Sequence, residues 1–109
     1  MTEPMRIYVA ESIEIPTGTC KRVEADGIGI ALCRVGTTLF AVDNTCPHAG
    51  GPLAEGRLDG DMLVCPWHGW RYDLRTGRRP ENPEIAVETF PVEERDGRVT
   101  VLMPPRRSA

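Results

Sequence analysis

The chain has 109 residues, near the commonest length for one domain, with 40% hydrophobic and 27% charged residues, which argues against both a disordered and a membrane-embedded class. Its formal net charge of −3 argues against a nucleic-acid binder, which would present a basic excess. No run approaches the roughly 18–20 consecutive apolar residues that cross a bilayer, and the start MTEPMRIYVAESIEIP lacks the basic-then-apolar pattern of a secretory leader. A protein that stays in the cytoplasm, without a membrane anchor, is expected.

Glycine (11) and proline (10) are plentiful, which favours short strands and many turns over long helices. MRIYVA reads as a first strand and IPTGT as a turn. CKRVEA then runs into Asp26-Gly27, a strong two-residue hairpin signal, and IGIALCRV continues beyond it. Gly36 turns the chain into TTLFAVDN, which completes an antiparallel meander in which Ile28, Ile30 and Leu32 alternate as one buried face. The pattern changes after Asn44, with two loops, the small strands MLVC and WRYDL between and after them, and a closing turn RTG. The nearest thing to a helix, HAGGPLAEGRLDGD, carries four glycines and supports one or two turns at most. Strands return with AVETFPVEE, a second Asp-Gly turn at Asp96-Gly97, and RVTVLM. The expected fold is all-β: antiparallel sheets, in a single domain over 1–109, built from base strands at about 5–43 and 85–103. A two-loop subdomain is inserted at about 44–84, and 104–109 forms a frayed tail.

The two loops, NTCPHAGGPL and LVCPWHGWRYD, hold both histidines and half of the four cysteines of the chain. Cys46 and His48 are one residue apart, Cys65 and His68 two. Two soft sulfurs and two imidazoles indicate zinc or an iron–sulfur centre. Zinc sites usually pair like ligands within a loop, whereas each loop here mixes a cysteine with a histidine. That mixture is the ligand set of a Rieske [2Fe–2S] centre, in which two histidines replace two cysteines on one iron.

CPHAGGPL and CPWHGWRYDLRTG resemble the two cluster-binding loops of Rieske proteins, and the flanking strand blocks resemble that family's antiparallel sheets, from MRIYVA to RVTVLM. The resemblance implies one [2Fe–2S] cluster per chain, with Cys46 and Cys65 on one iron and His48 and His68 on the other. It places PENPEI where the family has a proline-bearing loop over the cluster. Rieske proteins of cytochrome complexes carry an extra cysteine in each loop, joined as a disulfide; Gly51 and Trp67 stand at those positions. They also carry a serine bonded to a bridging sulfide, where this chain has Trp70, a different donor on a larger frame. Tyr72 stands where they have a tyrosine. Gly51, Trp67, Gly69, Trp70 and Tyr72 are thus the expected surroundings of the ligands. Loss of a hydrogen bond to the cluster sulfurs lowers the potential, so the midpoint is expected in the lower part of the roughly −150 to +300 mV Rieske range. The missing disulfide suits a reducing compartment, and Cys20 and Cys33, each placed in a strand, are expected to pack as small apolar residues.

CPWHGW also resembles the Rieske domain of oxygenase large subunits. Such enzymes add a mononuclear iron held by two histidines and a carboxylate, and here no histidine remains once His48 and His68 are used. No phosphate-cradling glycine motif or nucleophile–base pair appears. The chain is therefore expected to be no enzyme but a monomeric one-electron carrier, similar to the ferredoxins of bacterial aromatic-ring-hydroxylating systems. A flavin-dependent ferredoxin reductase and a terminal oxygenase are its implied partners. The small subunit of an assimilatory nitrite reductase is the alternative within the family, and a structural zinc module for protein binding the alternative outside it. Pro47, Leu53, Pro66 and Trp67 offer an apolar docking patch or simple loop packing. The arginines at 71, 75, 78 and 79 either steer an acidic partner or form a solvated hairpin.

Overall fold

A computed structural model describes residues 4–105. It is built from twelve strands among these residues: β1 (Met5–Glu11), β2 (Cys20–Ala25), β3 (Ile28–Val35), β4 (Thr38–Asp43), β5 (Arg57–Asp59), β6 (Met62–Val64), β7 (Arg71–Asp73), β8 (Arg78–Arg79), β9 (Asn82–Ala86), β10 (Thr89–Phe90), β11 (Val92–Arg95) and β12 (Arg98–Met103). Single 3-10 turns occur at Ser12–Glu14 and Leu53–Glu55. All strand pairing is antiparallel, as the all-β reading expects. No helix among the described residues is long and apolar enough to cross a membrane. Most of the expected tail, 106–109, lies outside the described residues.

The base is two sheets, β1-β12-β11 and β10-β4-β3-β2. The Asp-Gly pairs make its hairpins: Asp26 and Gly27 have φ of 53° and 78°, Asp96 and Gly97 of 54° and 77°. Positive φ at both central residues is the turn geometry that matches strand twist. One apolar core lies between the sheets, with Ile30, Leu32 and Ala41 from one meeting Val99, Val101 and Met103 from the other. Arg34 ties the sheets together at the edge of this core. Its Nε donates to the Ile15 carbonyl at 2.6 Å and its Nη2 to the Glu94 carboxylate at 2.8 Å.

The alternation of Ile28, Ile30 and Leu32 accounts for only half of β3. Ala31 and Cys33, on its other face, are also fully buried and form the floor of a second core with Val42, Leu53, Leu63, Tyr72, Leu74 and the sulfurs of Cys46 and Cys65. The central strand is buried on both sides because the insert, with its sheets β5-β6-β7 and β8-β9, packs over the base. Cys20 and Cys33 face each other across β2 and β3. Both are free thiols; Cys33 is fully buried, and its hydrogen bond with Cys20, with burial, pushes its thiol far up, so it stays neutral and packs as a small apolar residue.

AVETFPVEE is not one strand. β9 ends at Ala86, β10 pairs with β4, and after Pro91 β11 pairs with β12 in the other sheet. Proline lacks the N–H that a continuing ladder requires, and the chain changes sheets there. PENPEI forms the turn and strand of the β8-β9 hairpin.

The hydrogen bond from Arg34 holds the Glu94 carboxyl below its usual range. A carboxyl depressed on folding contributes stability that is fully present above its unfolded pKa and lost as pH falls through the folded value. The variant Glu94→Gln is expected to melt below the parent at neutral pH, with the gap closing in acid; thermal unfolding followed across pH 3–7 checks this, and a gap independent of pH counts against it.

Candidate metal centre

The first loop leaves β4 and the second joins β6 to β7. They close alike: the Cys46 N–H donates to the Gly51 carbonyl at 2.9 Å and the Cys65 N–H to the Trp70 carbonyl at 2.7 Å, five residues on in both. Each closure turns its cysteine inward, where both sulfur-bearing residues are 1% exposed, and leaves His48 and His68 at exposed tips. His68 has φ +71° and Gly69 +73°. Left-handed backbone is uncommon for a residue with a Cβ, and outside a tight hairpin turn such as those at Asp26 and Asp96 it is a mark of functional sites. The two imidazole rings lie 5.1 Å apart, tilted by 66°. Trp70 meets His48 with its flat face, centroids 3.8 Å apart and planes within 7°.

The two sulfurs interact directly, and their surroundings are unequal. Burial pushes the Cys46 thiol up, but hydrogen bonds from the Tyr72 hydroxyl and the backbone N–H groups of His48 and Ala49 outweigh it, so the thiol is held below its usual value. The Tyr72 oxygen is 3.0 Å from Cys46 Sγ. Burial above all, with the bond to Cys46, pushes that phenol well up, so it keeps its proton and donates. Burial also raises the Cys65 thiol, offset in part by the Trp67 N–H and reinforced by the neighbouring Cys46; the Trp67 nitrogen lies 3.4 Å from Cys65 Sγ.

Gly51 is the close approach between the loops. A Cβ there would stand 2.9 Å from Cys65 Sγ and 3.0 Å from Trp67 Cγ, so the tryptophan covers the glycine. Sequence reasoning passes over Asn44. This buried residue receives the Ala54 N–H on its Oδ1 at 2.7 Å; its own N–H reaches the Gly29 carbonyl and its carbonyl accepts from Leu53. It pins the start of the first loop to β3 and to the turn at Leu53. An asparagine at the end of a strand is the only sequence signal of this.

Among the described residues no three metal-ligating side chains converge closely enough to hold one ion. The four expected ligands form two pairs, sulfurs inside and imidazoles outside. A tetrahedral zinc needs all four at one point, while a two-iron centre needs a sulfur pair on one iron and a nitrogen pair on the other. Two neighbouring buried sulfurs can both be thiolates only with positive charge between them, and the N–H and O–H donors aimed at them are what a thiolate-bound iron–sulfur centre accepts. The residues fit a [2Fe–2S] cluster. The arginines near the second loop are engaged with their own surface: Arg71 with Glu81 at 2.7 Å, Arg75 with Asp61 at 3.1 Å, Arg78 with the Pro83 carbonyl at 2.9 Å, and Arg79 over the Trp70 ring.

Because the contact at Gly51 leaves no room for a methyl group, Gly51→Ala is expected to lose most of the iron bound per chain and several degrees in melting temperature. Iron and sulfide analysis beside thermal unfolding checks this; a fully loaded variant with parental stability contradicts it.

Residues 5–91 match the Rieske [2Fe-2S] domain family. Ferredoxin CarAc of Metapseudomonas resinovorans is 36% identical over 97 residues, covering 87% of this chain and 91% of that protein. The ferredoxin component of the naphthalene 1,2-dioxygenase/salicylate 5-hydroxylase systems of a Ralstonia species is 34% identical over 91 residues, covering 83% and 88%. Among solved structures, the complex of reduced oxygenase and oxidized ferredoxin in carbazole 1,9a-dioxygenase contains a chain that superimposes with a TM-score of 0.83 at 31% identity, covering 96% of this chain and 99% of that one. The chain belongs to the Rieske [2Fe–2S] family, and is an electron carrier of the ferredoxin type.

Proposed function

We propose that Cys46 and Cys65 hold one iron of the cluster and His48 and His68 the other, and that the chain takes an electron from a flavin-dependent reductase and passes it, as a monomer in the cytoplasm, to the terminal oxygenase of a ring-hydroxylating system. The observation that carries this reading is the division of the four side chains into a buried sulfur pair and an exposed imidazole pair 5.1 Å apart. The solved complex of a ferredoxin with its oxygenase in carbazole 1,9a-dioxygenase supports the choice of partner.

The bound cluster supplies a centre that holds one electron. The chain's own residues do the rest. Backbone N–H groups and the Tyr72 hydroxyl surround the sulfurs, favouring the more negative, reduced state. The buried cysteines would hold the group away from water. The imidazoles lie at the surface, beside Trp67, 48% exposed, and the exposed Pro47 and Pro66. These form an apolar rim against which a partner excludes water. Leu53 is fully buried and belongs to the core beneath the loop.

Ultraviolet–visible spectra with and without dithionite, followed by low-temperature electron paramagnetic resonance, test the ligand assignment. The expected protein is red-brown, bleaches on reduction and gives a rhombic signal with average g below the free-electron value; a colourless protein with stoichiometric zinc overturns the reading. Substitution Tyr72→Phe removes one donor from Cys46 and is expected to disfavour reduction several-fold, where tenfold corresponds to about 59 mV for one electron. A redox titration with the parental midpoint would show that this hydroxyl does not act on the cluster.

A further inference from the structure

Of the four arginines that follow the second loop, Arg79 alone has its guanidinium against an aromatic face beside a cluster ligand. Its Cζ lies 3.8 Å from the Trp70 ring, and the His48 ring lies 3.8 Å from the same tryptophan, nearly parallel to it. Two groups that close to one ring would overlap if they shared a face, so they occupy opposite faces. The result is a column of imidazole, indole and guanidinium drawn from the first loop, the second loop and the β8-β9 hairpin.

Arg79 is held there at a cost. Its Nε is buried with no hydrogen-bond partner among the described residues, an arrangement that folding normally avoids. The hairpin enforces it: Arg79 faces Asn82 across a register shift between residues 78 and 79, the kind of irregularity that re-aims a side chain, and Glu81 in its turn is anchored to Arg71 at 2.7 Å. A planar, permanently charged guanidinium is the side chain suited to such stacking.

We propose that Trp70 and Arg79 are positioning residues for electron transfer: the stack fixes the plane of the His48 imidazole, and the guanidinium charge behind the indole favours the electron on the cluster. The inference rests on His48 being an iron ligand. Reduction adds one negative charge at the site, so a fixed positive charge two ring thicknesses from the ligand stabilises the reduced form. The indole, and the half-buried position of Arg79 itself, shield that attraction in part from water and salt.

The test is a redox titration of the cluster-loaded protein, with electron paramagnetic resonance of each reduced sample. The substitution Arg79→Gln is expected to shift the reduction equilibrium three- to tenfold toward the oxidised form, the upper value being about 59 mV for one electron. Arg79→Lys, which keeps the charge, should recover at least half of the shift. Trp70→Leu should change the anisotropy of the reduced signal, because the ring that orients His48 is gone. Parental midpoints in both Arg79 variants, or equal drops in both, overturn the electrostatic role, and an unchanged signal in Trp70→Leu overturns the orienting role. A parent without a mixed-ligand signal refutes the assignment of His48 instead, so the two failures are distinguishable.

Discussion

Cys46 and Cys65 bring two sulfurs together where water is excluded, and two thiolates in such a place repel each other unless positive charge lies between them. Much of the architecture serves that one arrangement. The loops cannot be loose, because a misplaced sulfur would lose both its partner and its donors; each loop is therefore closed by a backbone hydrogen bond from the cysteine N–H. The site also needs a rigid floor, which β3 supplies by being buried on both faces, Ile30 and Leu32 toward the base core and Ala31 and Cys33 toward the insert. Small residues on the insert side let the loops sit close.

Around the sulfurs the polar groups all favour negative charge. The Tyr72 hydroxyl and three backbone N–H groups point at sulfur, and a donor that strengthens its bond as the centre is reduced makes reduction easier. On the imidazole side the logic changes from hydrogen bonds to stacking. Trp70 presents its flat face to the His48 ring. In its proposed positioning role it fixes the plane of that imidazole, and it carries the Arg79 guanidinium against its ring.

The candidate ligands stand out in the sequence because cysteine and histidine are scarce in this chain and clustered in two short stretches. The Asp-Gly hairpins were legible because a two-residue turn with two positive φ values has few acceptable residue types. The second buried face of β3 was not, since Ala31 and Cys33 look unremarkable until something is packed on them. Nor was the break in AVETFPVEE, where strand-forming residues run on either side of Pro91 while the pairing partner changes. Asn44 escaped, as did the contact of Arg79 with Trp70, for the same reason: each joins separate elements of the chain, and neither contact leaves a periodic or spaced trace.

The contact between Gly51 and Trp67 bears on how the two loops are kept together. On the resemblance drawn from the sequence, these positions correspond to a disulfide in the Rieske proteins of cytochrome complexes. Here the indole lies over the glycine, so van der Waals packing stands in for a covalent link. Packing constrains the unfolded chain far less than a crosslink does, and a centre bound only by the folded protein adds its binding free energy to folding. The loops of this chain therefore depend on their cluster for mutual placement more than crosslinked loops do, and a change that loosens the glycine–tryptophan contact acts on cluster retention and on stability together.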